Sequence, residues 1–160
     1  MIDGPFFVLT MLGALGTGLM AGVFCGFSTF VMKGLGSLPP AQGVAAMNAI
    51  NRAATTPAFM IVFMGSAALC AVLAVVTFVL WPEEATVELL TGSALYLIGA
   101  FGVTVMANVP RNASLLRMDP GSQEAAVYWR TYVSEWTIWN HVRMVASAGA
   151  TLSYILALTP

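Results

Sequence analysis

N-V-P-R-N at Asn108–Asn112 and W-R-T-Y-V-S-E-W-T-I-W-N-H-V-R at Trp129–Arg143 are two polar islands in an otherwise oily chain. The first closes one apolar run, Val87–Ala107. The second leads into another, Trp136–Leu158. A membrane-crossing helix needs roughly 20 predominantly apolar residues, and both runs qualify. Polar groups beside a bilayer are costly and by default mark function. The two islands therefore read as the meeting point of two spans, building a polar pocket at one membrane face.

Composition agrees with a membrane class. Hydrophobic residues make up 59% of the 160 and charged residues 8%, against roughly a quarter charged in soluble domains. So few charges cannot cover a soluble surface. The length suits one domain over residues 1–160, with the lipid bilayer as its first partner. A net charge of -1 supplies no field for nucleic acid, so no nucleic-acid partner is expected. Cys25 and Cys70 lie in apolar runs without zinc or redox spacing and read as buried free thiols. M-I-D-G-P at the start lacks the basic segment of a signal peptide, so the first apolar run is expected to persist in the mature protein.

Reading outward gives four spans, at about 5–32, 58–81, 87–107 and 136–158. The first is about 42 Å long at roughly 1.5 Å per residue and carries Gly18, Gly22 and Gly26 four apart, a stripe for close helix contact within the bundle or between copies. G-S-L-P-P breaks the chain. Pro40–Thr55 then forms a short amphipathic helix with Asn48, Asn51 and Arg52 near one another on its polar side. That side faces either solvent or the pocket. Trp81 ends the second span in the manner of an interfacial aromatic, and Pro82–Glu88 makes a tight acidic turn. Pro110 is expected to break the third helix at Val109. From Gln123 one long helix runs to about Leu158, its first part outside the bilayer. The expected fold is all-α: an antiparallel four-transmembrane-helix bundle with a short helix between spans 1 and 2 and an extended fourth helix.

Lys33, Arg52, Arg111, Arg117 and Arg130 fall in the connections after spans one and three, while the intervening turn holds Glu83, Glu84 and Glu88. The positive-inside rule then places the polar cluster at the cytoplasmic side of the cell (inner) membrane and both termini outside.

Along the fourth helix, Trp129, Tyr132, Trp136, Asn140 and Arg143 share one face, with Glu135 and Trp139 beside it and His141 about 100° further round. One reading is a clasp. Arg143 pairs with Glu135 or Asn108, the asparagines bond backbone freed near the loops, and the aromatics form an interfacial belt. The other reading is a pocket for a planar or anionic small molecule. Aromatic faces stack on it, and Arg143 fixes an acidic or carbonyl oxygen. His141, the chain's only histidine, is the candidate for proton transfer. Asn140 or Asn108 is the candidate for a developing enolate oxygen. Asn48, Arg52, Arg111, Asn112, Tyr132, Glu135, Trp136 and Trp139 are expected to line the substrate. One histidine and scattered carboxylates make no zinc or di-iron set. Haem needs only one axial histidine, so His141 with arginines for the propionates is the cofactor alternative. A non-catalytic membrane subunit or small-molecule binder is the third reading.

The N-V-P-R-N segment and W-x-x-Y-x-x-x-W-x-x-W-N-H-V-R ending at Arg143, together with F-S-T-F-V-M at Phe27–Met32 and M-N-A-I-N-R at Met47–Arg52, resemble the anthrone-oxygenase-like family of small four-span membrane proteins. Its bacterial members are mostly of unknown function. The resemblance implies a four-span fold. In fungal polyketide pathways, related proteins turn anthrones into anthraquinones with dioxygen and need no metal or flavin. By that likeness the chain is a membrane oxidase or oxygenase for a small lipophilic, aromatic or quinol/anthrone-type substrate. His141 serves as base, Arg143 with Asn108 or Asn140 holds the oxyanion, and Trp136 with Trp139 forms a dry wall.

Overall fold

The apolar runs become long helices whose ends fall near the sequence breaks. The computed structural model describes residues 4–81 and 85–159. Helix α1 covers Gly4–Gly36, α2 Pro40–Ala53, α3 Pro57–Leu80, α4 Thr86–Leu116 and α5 Gln123–Leu158. All but α2 are long and apolar enough to cross a membrane. Pro40 and Pro57 stand in the first turns of α2 and α3, where a missing N–H costs nothing. Ser122 caps α5 by accepting from the Ala125 N–H at 3.1 Å. Trp81 ends α3 with φ 46°, a left-handed conformation uncommon outside glycine. Of the expected acidic turn, Pro82–Glu84 lies outside the described residues. Glu88 sits in the first turn of α4.

Pro110 does not break the third span. The helix runs on to Leu116 because it loosens into a π-helical turn over Thr104–Asn108 just before the proline. There the Val109 N–H reaches back to the Thr104 carbonyl. Arg111 Nη1 donates to the Ala107 carbonyl at 2.9 Å, bringing a side-chain donor to the helix beside the disturbed ladder. Further π turns cover Leu95–Gly102 in α4 and Phe27–Val31 in α1.

The spans alternate in direction. α5 packs along α1 and also along α4, and α3 packs on α1 and on the first half of α4. α2 lies across one end, against α5 and the end of α4. Two apolar cores result. The larger, around Leu73, Leu89, Tyr96 and Tyr154, fills the bundle. The smaller, around Met32, Val44, Met47, Leu115, Trp129 and Tyr132, sits under α2. The glycines doing the closest packing are not those of the expected stripe. A Cβ on Gly99 would stand 2.5 Å from the Ala146 Cβ, and one on Gly16 2.5 Å from Ser66 Oγ. Gly18 faces Thr151, Gly22 meets only open space, and Gly26 faces Phe30 of its own helix. Cys70 is buried as expected, whereas Cys25 is on the exposed side of α1; both are free thiols.

Candidate functional site

One face of α5 is buried from end to end, and Trp129, Tyr132, Trp136, Asn140 and Arg143 lie on it. Their rings form a ladder. Trp129 stacks on Tyr132 at 5.5 Å between centroids, Tyr132 on Trp136 at 6.5 Å, and Trp136 leans on Phe27 of α1 at 5.4 Å. Trp129 can lie flat against α2 because Gly43 is there: a Cβ at that position would fall 2.7 Å from the indole. Tyr132 Oη and Trp136 Nε1 both donate to Asn112 Oδ1 on α4, at 2.7 and 2.9 Å. An indole N–H only donates, so the atom it meets must be the amide oxygen. The orientation of Asn112 is thereby fixed, and its Nδ2 donates to no described residue.

Arg143 ends this ladder, 95% shielded, with a residual exposure of 5%. Nη2 donates to Asn140 Oδ1 at 2.7 Å and Nη1 to Thr104 Oγ1 at 3.1 Å. Both acceptors are neutral. Nε is sealed without a partner. The guanidinium carbon lies 4.4 Å from the Phe24 ring centre and 5.0 Å from that of Trp136, so π faces supply part of what a counter-ion would. Burying an ion costs several kcal/mol even after relaxation, and no carboxylate among the described residues offsets it. Asn140 is fully engaged: its Nδ2 donates to the Phe24 carbonyl at 2.8 Å and to Ser28 Oγ at 2.7 Å. It thus ties α1 to α5 and aims the guanidinium.

Beside Arg143 lies a cavity of about 670 Å³, within the roughly 300–1,000 Å³ of small-molecule sites. All five helices line it. Its inner wall is aromatic, with Phe24, Phe27, Phe63, Phe101 and Trp136. Polar side chains enter at few points: Arg143 and Thr104 at one place, Asn112 and Asn51 at another, Thr55 near the α2–α3 junction. The π turn of α4 contributes Thr104, and that of α1 contributes Phe27. Such turns widen the helix locally and are frequent at functional sites.

The sequence-predicted residues divide. Arg143, Trp136 and Asn112 line the cavity, and Tyr132 stands behind Asn112. Asn48 is buried outside the lining, with Oδ1 sealed and unpartnered. Asn108 is buried and donates to the Trp136 carbonyl at 3.3 Å, bracing α4 on α5 away from the cavity. Asn140 acts from behind Arg143. Arg52, Trp139 and His141 are exposed and off the lining. The step of about 100° per residue carries His141 out of the bundle once Asn140 points in. A porphyrin held by His141 would therefore sit on the outer surface, apart from Arg143.

The expected Arg143 ion pair is also redistributed. Glu135 pairs instead with Arg111, Oε2 lying 2.8 Å from Nη2 and 2.9 Å from Nε. Glu135 lies two turns before Arg143 and rotated about 80° from it, which turns it to the rim. Both partners of this pair are partly exposed, and such pairs contribute about 0–1 kcal/mol. Glu135→Gln should accordingly shift the melting temperature by only a few degrees and leave ligand affinity unchanged, as read by thermal unfolding and titration of the purified protein. Sequence reasoning gave no cavity role to Phe24, Phe27 or Thr104. A side chain three or four residues either side of a buried partner was the available signal, which Phe24 obeys in regular helix, but the π turns shift that register at Phe27 and Thr104.

The family model for anthrone oxygenases matches residues 59–153, more than half of the chain. It takes in Thr104, Asn112, Trp136 and Arg143 but not α2 or the Phe24–Phe27 wall. Comparison with curated proteins and with solved structures found no match.

Proposed function

The chain belongs to the anthrone oxygenase family, and from that premise we propose that it oxidises a lipophilic aromatic weak acid of anthrone or quinol type with dioxygen, in the cavity beside Arg143. The observation that carries this reading is a buried guanidinium on the wall of an aromatic cavity with neutral partners only. A substrate oxygen bearing negative charge is the missing complement. Aromatic rings fit the space between Phe24, Phe27 and Trp136. Asn112 offers an oriented amide N–H to a second oxygen.

The chemistry needs little else. An anthrone loses a proton from the ring carbon opposite its carbonyl, giving an enolate whose oxygen sits on Arg143. Charge stabilisation at that oxygen favours ionisation. The electron-rich carbon reduces dioxygen and joins it, forming a peroxide anion that takes a proton. Loss of water then cleaves the O–O bond and removes the remaining hydrogen on carbon, leaving a second carbonyl. Anthrone and dioxygen become anthraquinone and water, one oxygen atom going to each product. The proton taken first is returned, so the site acts chiefly by holding the anion in a dry space. No carboxylate or imidazole among the described residues lines the cavity, and the proton leaves to solvent or buffer. With basic residues gathered at this end of the bundle, we assign it to the cytoplasmic side.

Oxygen uptake by the purified protein with an anthrone tests the proposal: one dioxygen consumed per quinone formed, at a rate above the buffer reaction, is expected. Uptake no faster than in buffer, for anthrones and hydroquinones alike, would overturn it. His141→Ala should retain at least half of the rate, because the imidazole faces away from the cavity. A rate reduced by more than tenfold would return the base role to His141.

A further inference from the structure

Several side chains of the cavity wall are at the same time part of the outer surface. Val23 of α1, Met64 of α3 and Val105 and Val109 of α4 line the cavity, yet each is 39–50% exposed. On the same three helices Phe30, Ile61 and Met106 are highly exposed and apolar. On a membrane-spanning bundle such a surface meets lipid chains. Rings stand inside, beside Arg143. Aliphatic side chains stand at the edge, where α3 and α4, packed together in their other halves, border the cavity.

Resting on the functional reading above, we propose that the substrate is a membrane-dissolved aromatic weak acid carrying an aliphatic chain, and that it enters sideways from the bilayer between Met64 and Val105–Val109. The ring goes in to Arg143 and Trp136. The chain stays between α3 and α4 with its end in lipid. Two physical reasons support this arrangement. An aliphatic chain left in hydrocarbon loses no solvation, whereas drawing it into water costs about 0.8 kcal/mol per CH₂. Aromatic walls suit a flat ring, and flexible Met with β-branched Val suits an alkyl chain.

The test uses the full chain in lipid nanodiscs, with Cys25→Ser removing the exposed native thiol. The thiol introduced by Val105→Cys should react with lipid-soluble N-phenylmaleimide and resist a charged, water-soluble thiosulfonate. Binding of 4-decyl-1-naphthol should slow that labelling at least fivefold, while 1-naphthol, which lacks the chain, should slow it less than twofold. A thiol introduced by Ile98→Cys, lipid-facing but off the cavity, should be labelled and stay unprotected by either. Fast reaction of the Val105→Cys thiol with the charged reagent, or equal protection by both naphthols, overturns lateral loading. The outcome is independent of turnover. Chain-dependent protection without any oxygen uptake keeps the site and removes the oxygenase reading, and oxygen uptake without protection does the reverse.

Discussion

Arg143→Met should lower the rate of oxygen uptake by about 10²–10³-fold, the usual cost of deleting one preorganised oxyanion donor, while the bundle stays folded. The stability side of this expectation follows from two opposed terms. The substitution removes a guanidinium that burial makes expensive by several kcal/mol. It also leaves Asn140 Oδ1 without its donor, a loss of about 1–3 kcal/mol. The Thr104 bond and both ring contacts are lost as well, so losses oppose the relief of burial and the melting temperature of the ligand-free protein should move by only a few degrees in either direction. Arg143→Lys should recover little of the rate. An ammonium lacks the planar fork by which two separate nitrogens reach Asn140 and Thr104. If Arg143→Met instead unfolds the protein in step with the lost rate, the guanidinium is a clasp. If the rate persists, the proposed anion site is wrong.

The largest stability effect is expected at a glycine. Gly99→Ala would drive a methyl against Ala146 on α5, at 2.5 Å between Cβ positions. Neither side chain can rotate away, so α4 and α5 must separate. Overpacking of this kind costs typically about 1–3 kcal/mol, and here it acts against the roughly 1 kcal/mol that alanine gains over glycine in a helix. Gly22→Ala has no neighbour to meet and should be neutral or slightly stabilising. Thermal unfolding in one detergent gives the order: Gly22→Ala at or above the parent, Gly99→Ala below it. A reversed order would mean that α4 and α5 are not in contact at this level.

Much of the architecture could be read directly. The number of spans, the α2 insertion and the start of α5 at Gln123 follow from apolar run length, proline placement and a serine cap, all of which are local. The buried face of α5 followed from a constant 3.6-residue repeat over a helix with no π turn. The site was less legible. His141 adjoins Asn140 in sequence and suits acid–base chemistry, yet one residue of rotation puts it outside. Glu135 attracted attention as the nearest carboxylate to Arg143, but sequence distance along a helix conceals the angle between them. Thr104 and Phe27 reach the cavity through turns whose period departs from 3.6, Phe24 does so from the regular helix just before one, and Pro110 was absorbed by the same device.

Asn140 has a mechanical consequence. Through the Phe24 carbonyl, Ser28 and Arg143, and with Thr17 joined to Thr151 further along, it rivets the first and last spans into one stiff beam. The proposed entrance, by contrast, is flanked by methionine and valine side chains that can slip past one another. Breathing of the bundle will therefore be lopsided, with the proposed anion anchor nearly stationary and the opposite seam supplying the give.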